Sequence, residues 1–258
     1  MTATMRIKYW VVLFSLLDIG FGLSAQEDVP KYLQVARDVV ANVKPENNVY
    51  SNKPRYVRFP GDLFSGGQYT VRTDCTGFVE AVLDKGNNIT PNFSTRKYPG
   101  LYSIIDWVDG IDRGDMFDKI PHIQDLKAGD MLMYKFVVWP KGSEPWNGHI
   151  MLVDVTPKRI EPQRMPKLEG TVQWEVKVLD SNGGPASLDD TRLVGNPERA
   201  PDFKEWVSKQ KTGAGRGTVL VFADEEGNIV AQSNGFPKSK IWMQDTDRRI
   251  VMARVRSK

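Results

Sequence analysis

The chain has 258 residues, with 35 Lys and Arg against 32 Asp and Glu, for a formal net charge of +3. So even a balance, with no long basic block, excludes a nucleic-acid binder that works by charge and directs attention to a small or peptidic substrate. The length suffices for a full hydrophobic core.

At the N-terminus Arg6 and Lys8 precede an apolar run from Tyr9 to Leu17, and Leu23-Ser24-Ala25 ends in small residues before Gln26. This is the pattern of a secretory signal peptide. A retained membrane anchor is the alternative, but Asp18 interrupts the run well short of the roughly 20 apolar residues a spanning helix needs. Residues 1–25 are therefore expected to be removed with Arg6, Lys8 and Asp18, leaving residues 26–258 as one periplasmic or secreted domain, expected to be monomeric, with no membrane span. The run is not followed by a cysteine that could carry a lipid.

Leu33, Val35, Ala36, Val39, Val40 and Val43 form an apolar stripe that predicts an amphipathic helix from about Pro30 to Val43, ended by Pro45. The segment Glu46 to Arg72 mixes Pro54, Pro60, Gly61, Gly66 and Gly67 with aromatics, the chemistry of ordered loop or short strands. A second helix is predicted from Cys75 to about Asp84, capped by Thr73 or Asp74 and followed by Gly86 as its left-handed stop. Helical spacing puts Cys75 on one face with Phe78, Val79 and Val82, and Thr76, Glu80 and Asp84 on the polar side.

Cys75 is the sole cysteine, so no internal disulfide explains it. Unpaired N–H groups and the positive dipole end at a helix start favour a thiolate and can hold an oxyanion. A free Cys is also among the most buried residue types, so this segment alone leaves nucleophile and packed hydrophobe both open.

His122 and His149 are the available bases. His122 lies in the loop-like Pro121-His122-Ile123, whereas His149 begins the strand-like run to Val155, where alternation groups it with Met151, Val153 and Val155. An imidazole there can take the thiol proton. The next predicted strand, Trp174 to Asp180, ends in a carboxylate before Ser181-Asn182-Gly183-Gly184; paired with the His149 strand, Asp180 would orient the imidazole, with Asn182 as the substitute.

Asp74-Cys75-Thr76-Gly77-Phe78-Val79, Ala128-Gly129-Asp130-Met131-Leu132 and Gly148-His149-Ile150-Met151-Leu152-Val153 together resemble, in order and character, the motifs of the NlpC-like cysteine peptidases over roughly residues 70–182. The resemblance implies a papain-like α+β fold, with helices packed on an antiparallel sheet. It implies an amide-cleaving enzyme acting on peptidoglycan stem peptides, and amidase or acyltransferase chemistry less often. It needs no cofactor and no metal. Cys75, His149 and Asp180 would be the catalytic residues, although the third position in that family is commonly His and Thr76 stands where Ser is usual. Asp74 and Thr76 would contact a free amino group of the substrate, and an upstream Tyr would be Tyr56 or Tyr69. A non-catalytic wall- or protein-binding module is the alternative function.

Between Lys85 and Pro121 the chain is longer than the compact family members need, and Leu101 to Trp107 reads as helical. Trp139 and Trp146 flank a Pro- and Gly-containing loop just before His149, either as a selective overhang or as pins for the loop. Asp106, Asp109, Asp112, Asp115 and Asp118 recur every third residue but lack the alternating acidic loop of a calcium site, so a solvated acidic face is expected. Gly213-Ala214-Gly215-Arg216-Gly217 precedes a strand-like run, Thr218 to Phe222, which argues against a nucleotide-binding turn. Strand-like runs up to Val255 predict a terminal meander that extends or covers the same sheet.

Overall fold

The computed structural model describes residues 29–94, 102–138, 148–195, 206 and 209–256. The signal-like segment and the Trp139/Trp146 loop lie outside the described residues. In chain order come helix α1 (Lys31–Asn42), strands β1 (Asn48–Tyr50), β2 (Tyr56–Arg58) and β3 (Thr70–Thr73), helices α2 (Cys75–Asn87) and α3 (Ile104–Asp112), then β4 (Phe117–Ile120), β5 (Met131–Phe136), β6 (Gly148–Val153), β7 (Lys158–Ile160), β8 (Val172–Asn182), β9 (Gly213–Ala223), β10 (Ile229–Asn234), β11 (Ile241–Met243) and β12 (Arg248–Val255). The architecture is α+β. A nine-stranded sheet runs β11-β10-β9-β8-β6-β5-β12-β4, with β7 paired to β8, and a small sheet runs β1-β3-β2. No described helix is long and apolar enough to cross a membrane.

Strand alternation divides most of the interior into two cores, with a smaller cluster of Leu220, Phe222 and Ala231 besides. Ile150, Leu152, Leu179, Met131 and Met133 join the buried faces of the helices, including Leu33, Phe78, Val79, Val82 and Trp107. Met151, Val153, Val176, Val178, Val219 and Val221 pack with Leu132, Ile250 and Met252 in the second. His149 shares parity with Met151 and Val153, and Asp180 with Val176 and Val178. By this alternation the two polar side chains lie on one face of the sheet.

Several boundaries differ from the sequence reading. Gly86 is inside α2, because a Cβ there would lie 2.5 Å from the Tyr32 backbone nitrogen where α1 crosses closely; Asn88, at φ 53°, is the left-handed stop. The third helix starts at Ile104 rather than Leu101, fixed by a capping box in which Asp106 accepts from Ser103 N at 2.8 Å and Ser103 Oγ accepts from Asp106 N. The aspartate series is a solvated face except at Asp106, which is buried in that cap; Asp109, Asp112, Asp115 and Asp118 pair at the surface with Lys135, Lys119, Arg113 and Arg256.

The terminal strands do extend the large sheet, but not as a simple meander. β9, β10 and β11 follow one another on one side, while β12 crosses to the other and inserts between β5 and β4. β9 also begins at Gly213, absorbing the glycine motif into the strand.

Replacing Gly86 with Ala is expected to lower unfolding free energy by about 1–3 kcal/mol through overpacking, whereas Asn88→Gly is expected to be neutral or slightly stabilising at its positive φ. Urea unfolding of both variants checks the pair; the reverse ordering would contradict the helix crossing described.

Candidate active site

Cys75 occupies the first turn of α2, after the N-cap Asp74, whose Oδ1 accepts from Gly77 N at 2.9 Å. The turn before it is held from two sides. Ser181 Oγ, next along β8 from Asp180, donates to the Thr73 carbonyl at 2.8 Å, and Ser51 N donates to the same oxygen at 3.2 Å. The helix start is thereby tied to the strand that carries Asp180.

β6 and β8 are antiparallel neighbours that pair at Leu152↔Leu179 and Val153↔Val178. Continued along the chains, that register sets Met151 opposite Asp180, so His149 reaches Asp180 diagonally on the same face. The contact is short: His149 Nε2 stands 2.5 Å from Asp180 Oδ2, with both side chains buried. The Cys75 side chain is near enough to the same imidazole to influence its titration. With Nε2 committed to Asp180, Nδ1 is the nitrogen left for the sulfur.

Burial opposes charge on His149, but the charge of Cys75 and the hydrogen bond and charge of Asp180 outweigh it, and its pKa is raised well above the ordinary imidazole value. For Asp180 burial again opposes charge, and the Arg192 guanidinium and His149 overcome it, so the carboxyl stays below its usual range. Arg192 Nη1 donates to Asp180 Oδ1 at 2.7 Å and to the Gly213 carbonyl at 3.0 Å; its Nε and Nη2 donate to the two oxygens of Asp190 at 2.9 and 2.8 Å. Arg192 is 1% exposed, and burial is outweighed by its two carboxylates, which raise its pKa.

This pair explains the glycines of β9. Gly215 lies opposite Asp180 and Gly217 opposite Val178 in the ladder. A Cβ on Gly215 would stand 2.6 Å from Arg192 Nε, and one on Gly217 2.5 Å from Asp190 Oδ2. The motif makes room for a buried ion pair. At its edge Asn48 brackets Ala214 like a strand neighbour, donating to its carbonyl at 2.8 Å and accepting from its N–H at 2.7 Å. That docks β1, and with it Tyr50.

Tyr50 pairs in register with Thr73, immediately before the Asp74-Cys75 segment. Its hydroxyl pKa is raised, first by burial and then by the negative charges of Cys75, Asp74, Tyr134 and Asp180. Tyr50 is therefore the upstream tyrosine that is coupled electrostatically to the thiol. Tyr56 instead lines a cavity of about 410 Å³ with Gly77, Glu80 and Ala81 of α2, and Tyr69 packs edge-on against Phe59.

The structure brings Cys75, His149 and Asp180 together. Asn182 does not share the imidazole; its Oδ1 accepts from Gly183 N. His122 stands at the N-cap position of the short 3-10 turn Ile123–Asp125 between β4 and β5, without a side-chain cap bond. Asp74 and Thr76 adjoin Cys75, but Arg55 already occupies them: its Nη2 stands 3.1 Å from Asp74 Oδ1 and donates to Thr76 Oγ1 at 2.8 Å, while Thr76 donates to Asp74. Thr76 is accordingly buried rather than on a polar face. Among the described residues no group of three or more His, Cys, Asp or Glu is arranged to hold a metal.

Sequence reasoning missed Arg192, Asp190 and Tyr50. Arg192 and Asp190 lie in a loop without periodicity, and the one trace of them is the glycine spacing on β9. Comparison with known proteins yields no matching family model, curated protein or solved structure.

The chain has only two histidines, so proton NMR resolves both titrations. His149 is expected to titrate above about 6.5, and Asp180→Asn, which removes two of the influences that raise it, is expected to move the midpoint down. A midpoint unchanged by that substitution would contradict the coupling.

Proposed function

We propose that this protein is a cysteine hydrolase of amide bonds, acting in the periplasm or outside the cell, most directly on peptidoglycan stem peptides. The observation that carries the chemistry is the buried chain of contacts from the Cys75 thiol through His149 to Asp180, set at a helix N-terminus. The choice of stem peptides rests on the resemblance to NlpC-like peptidases, and the compartment on the signal-like N-terminus.

Cys75 Sγ attacks the scissile carbonyl carbon as His149 Nδ1 takes the thiol proton, forming the S–C bond. N–H groups of the first turn of α2 face the oxyanion. Collapse breaks the C–N bond, and the proton on His149 passes to the departing amine. Water then adds to the thioester, His149 accepting its proton. The C–S bond breaks, the acid leaves and the thiol is restored. Asp180 keeps the imidazole in orientation and stabilises its cation throughout; Arg192 keeps Asp180 ionised.

The test is incubation of the full chain, and of Cys75→Ala, with muropeptides, followed by mass spectrometry. Two fragments whose masses sum to the substrate plus one water are expected from the native protein, and none from the variant. Cleavage that survives in Cys75→Ala, or intact muropeptides with both proteins, would overturn the proposal, and a product joined to an added amine would make it an acyltransferase.

A further inference from the structure

Arg248 carries a charge that the fold buries without bonding a carboxylate to it. At the first position of β12 it is 5% exposed, and its Nε and Nη1 have no hydrogen-bond partner. The guanidinium lies against rings instead: its carbon is 3.7 Å from the centroid of Tyr134, 4.1 Å from Trp242 and 5.2 Å from Phe136. Ring faces attract a cation but do not accept the in-plane N–H bonds that a guanidinium offers. Burial lowers its pKa, and Tyr134 and Asp247 offset this only in part.

The neighbours do not cancel that charge. Asp247 is turned to Lys240 at 3.6 Å and accepts from Met243 N at 2.9 Å, while Lys240 Nζ also stands 4.0 Å from the Trp242 ring. One strand further, Gln232 lies opposite Trp242 in the ladder, 1% exposed, with its Oε1 unpartnered. Unmet donors on a planar cation, an unmet acceptor and half-exposed aromatic walls make a recognition set for a carboxylate attached to a peptide.

The set adjoins the candidate active site. Tyr134 is the register partner of His149, with ring centroids 6.3 Å apart. The two spans from imidazole to phenol to guanidinium together equal about three residues of extended chain.

We propose that Arg248 is a specificity residue whose guanidinium receives a carboxylate of the substrate, about three residues from the scissile amide, between Tyr134, Phe136 and Trp242. Its role in specificity rests on the amide-hydrolase reading; its capacity to bind a carboxylate does not. A carboxylate oxygen on either free N–H would select acidic peptides over their amidated forms.

The probes are hippurate, which joins a ring and an amide to a carboxylate, and its uncharged amide, titrated into the full chain by ligand-observed NMR. The native protein is expected to bind hippurate about tenfold more tightly than the amide, the scale of a charged hydrogen bond. Arg248→Met, of similar length but apolar, is expected to bind both equally weakly with an undiminished thermal midpoint. Arg248→Lys keeps the charge without the fork and is expected to retain part of the preference. Equal binding of the two probes by the native protein, or a full preference in Arg248→Met, would overturn the proposal. Cys75→Ala is expected to keep the preference, so an intact preference without muropeptide cleavage counts against the hydrolase reading alone, and cleavage without a preference counts against the carboxylate site alone.

Discussion

Asp180 is an ionised carboxylate with no access to water, and the arrangement of the site follows from keeping it so. An isolated buried carboxylate costs several kcal/mol and would take up a proton instead. Here each oxygen has its own partner, His149 on Oδ2 and Arg192 on Oδ1. Arg192, equally buried, needs Asp190 as a second counter-charge, and the three cannot fit beside β9 unless Gly215 and Gly217 lack side chains. Charge, hydrogen bonding and space are solved together, so one strand's glycine spacing is a condition for the orientation of an imidazole on another.

The same linkage fixes the thiol. Cys75 belongs to the helix-side core, among Phe78, Val79 and Val82, and in that sense it is the packed hydrophobe its burial suggests. What packing alone does not account for is its placement at the helix start against His149, with the preceding carbonyl tied to Ser181, the residue after Asp180. Helix and strand are located relative to each other at the point where sulfur and imidazole meet. Tyr50 enters through an independent route, the Asn48 clamp on β9.

The parts legible in the sequence were local. Alternation exposed β6 and β8, and the helical stripe after Cys75 exposed α2, because the side-chain period of each element is set by its own backbone. Faces followed from the same periods, which is why His149 and Asp180 could be paired on paper. What was not legible depends on close approach between distant segments. Gly86 resembled a helix stop because local chemistry gives no hint that Tyr32 crosses there. The Arg192–Asp190 pair and the Tyr50 position arise from loops and a short parallel strand whose neighbours are far along the chain. Arg55, which fills the place assigned to a substrate amine, was invisible for the same reason. The jump of β12 to the opposite half of the sheet is a topological choice that hydrophobic pattern leaves undetermined.

The central claim is that His149, held by Asp180, activates Cys75. The single cysteine makes this directly measurable: the rate of carbamidomethylation of Cys75 by iodoacetamide in the folded protein at pH 7, followed by intact mass, in the native chain and in His149→Gln. The account predicts that the native thiol reacts at least about a hundredfold faster than the variant, the lower end of what a positioned base contributes. Equal rates in two equally folded proteins would contradict it.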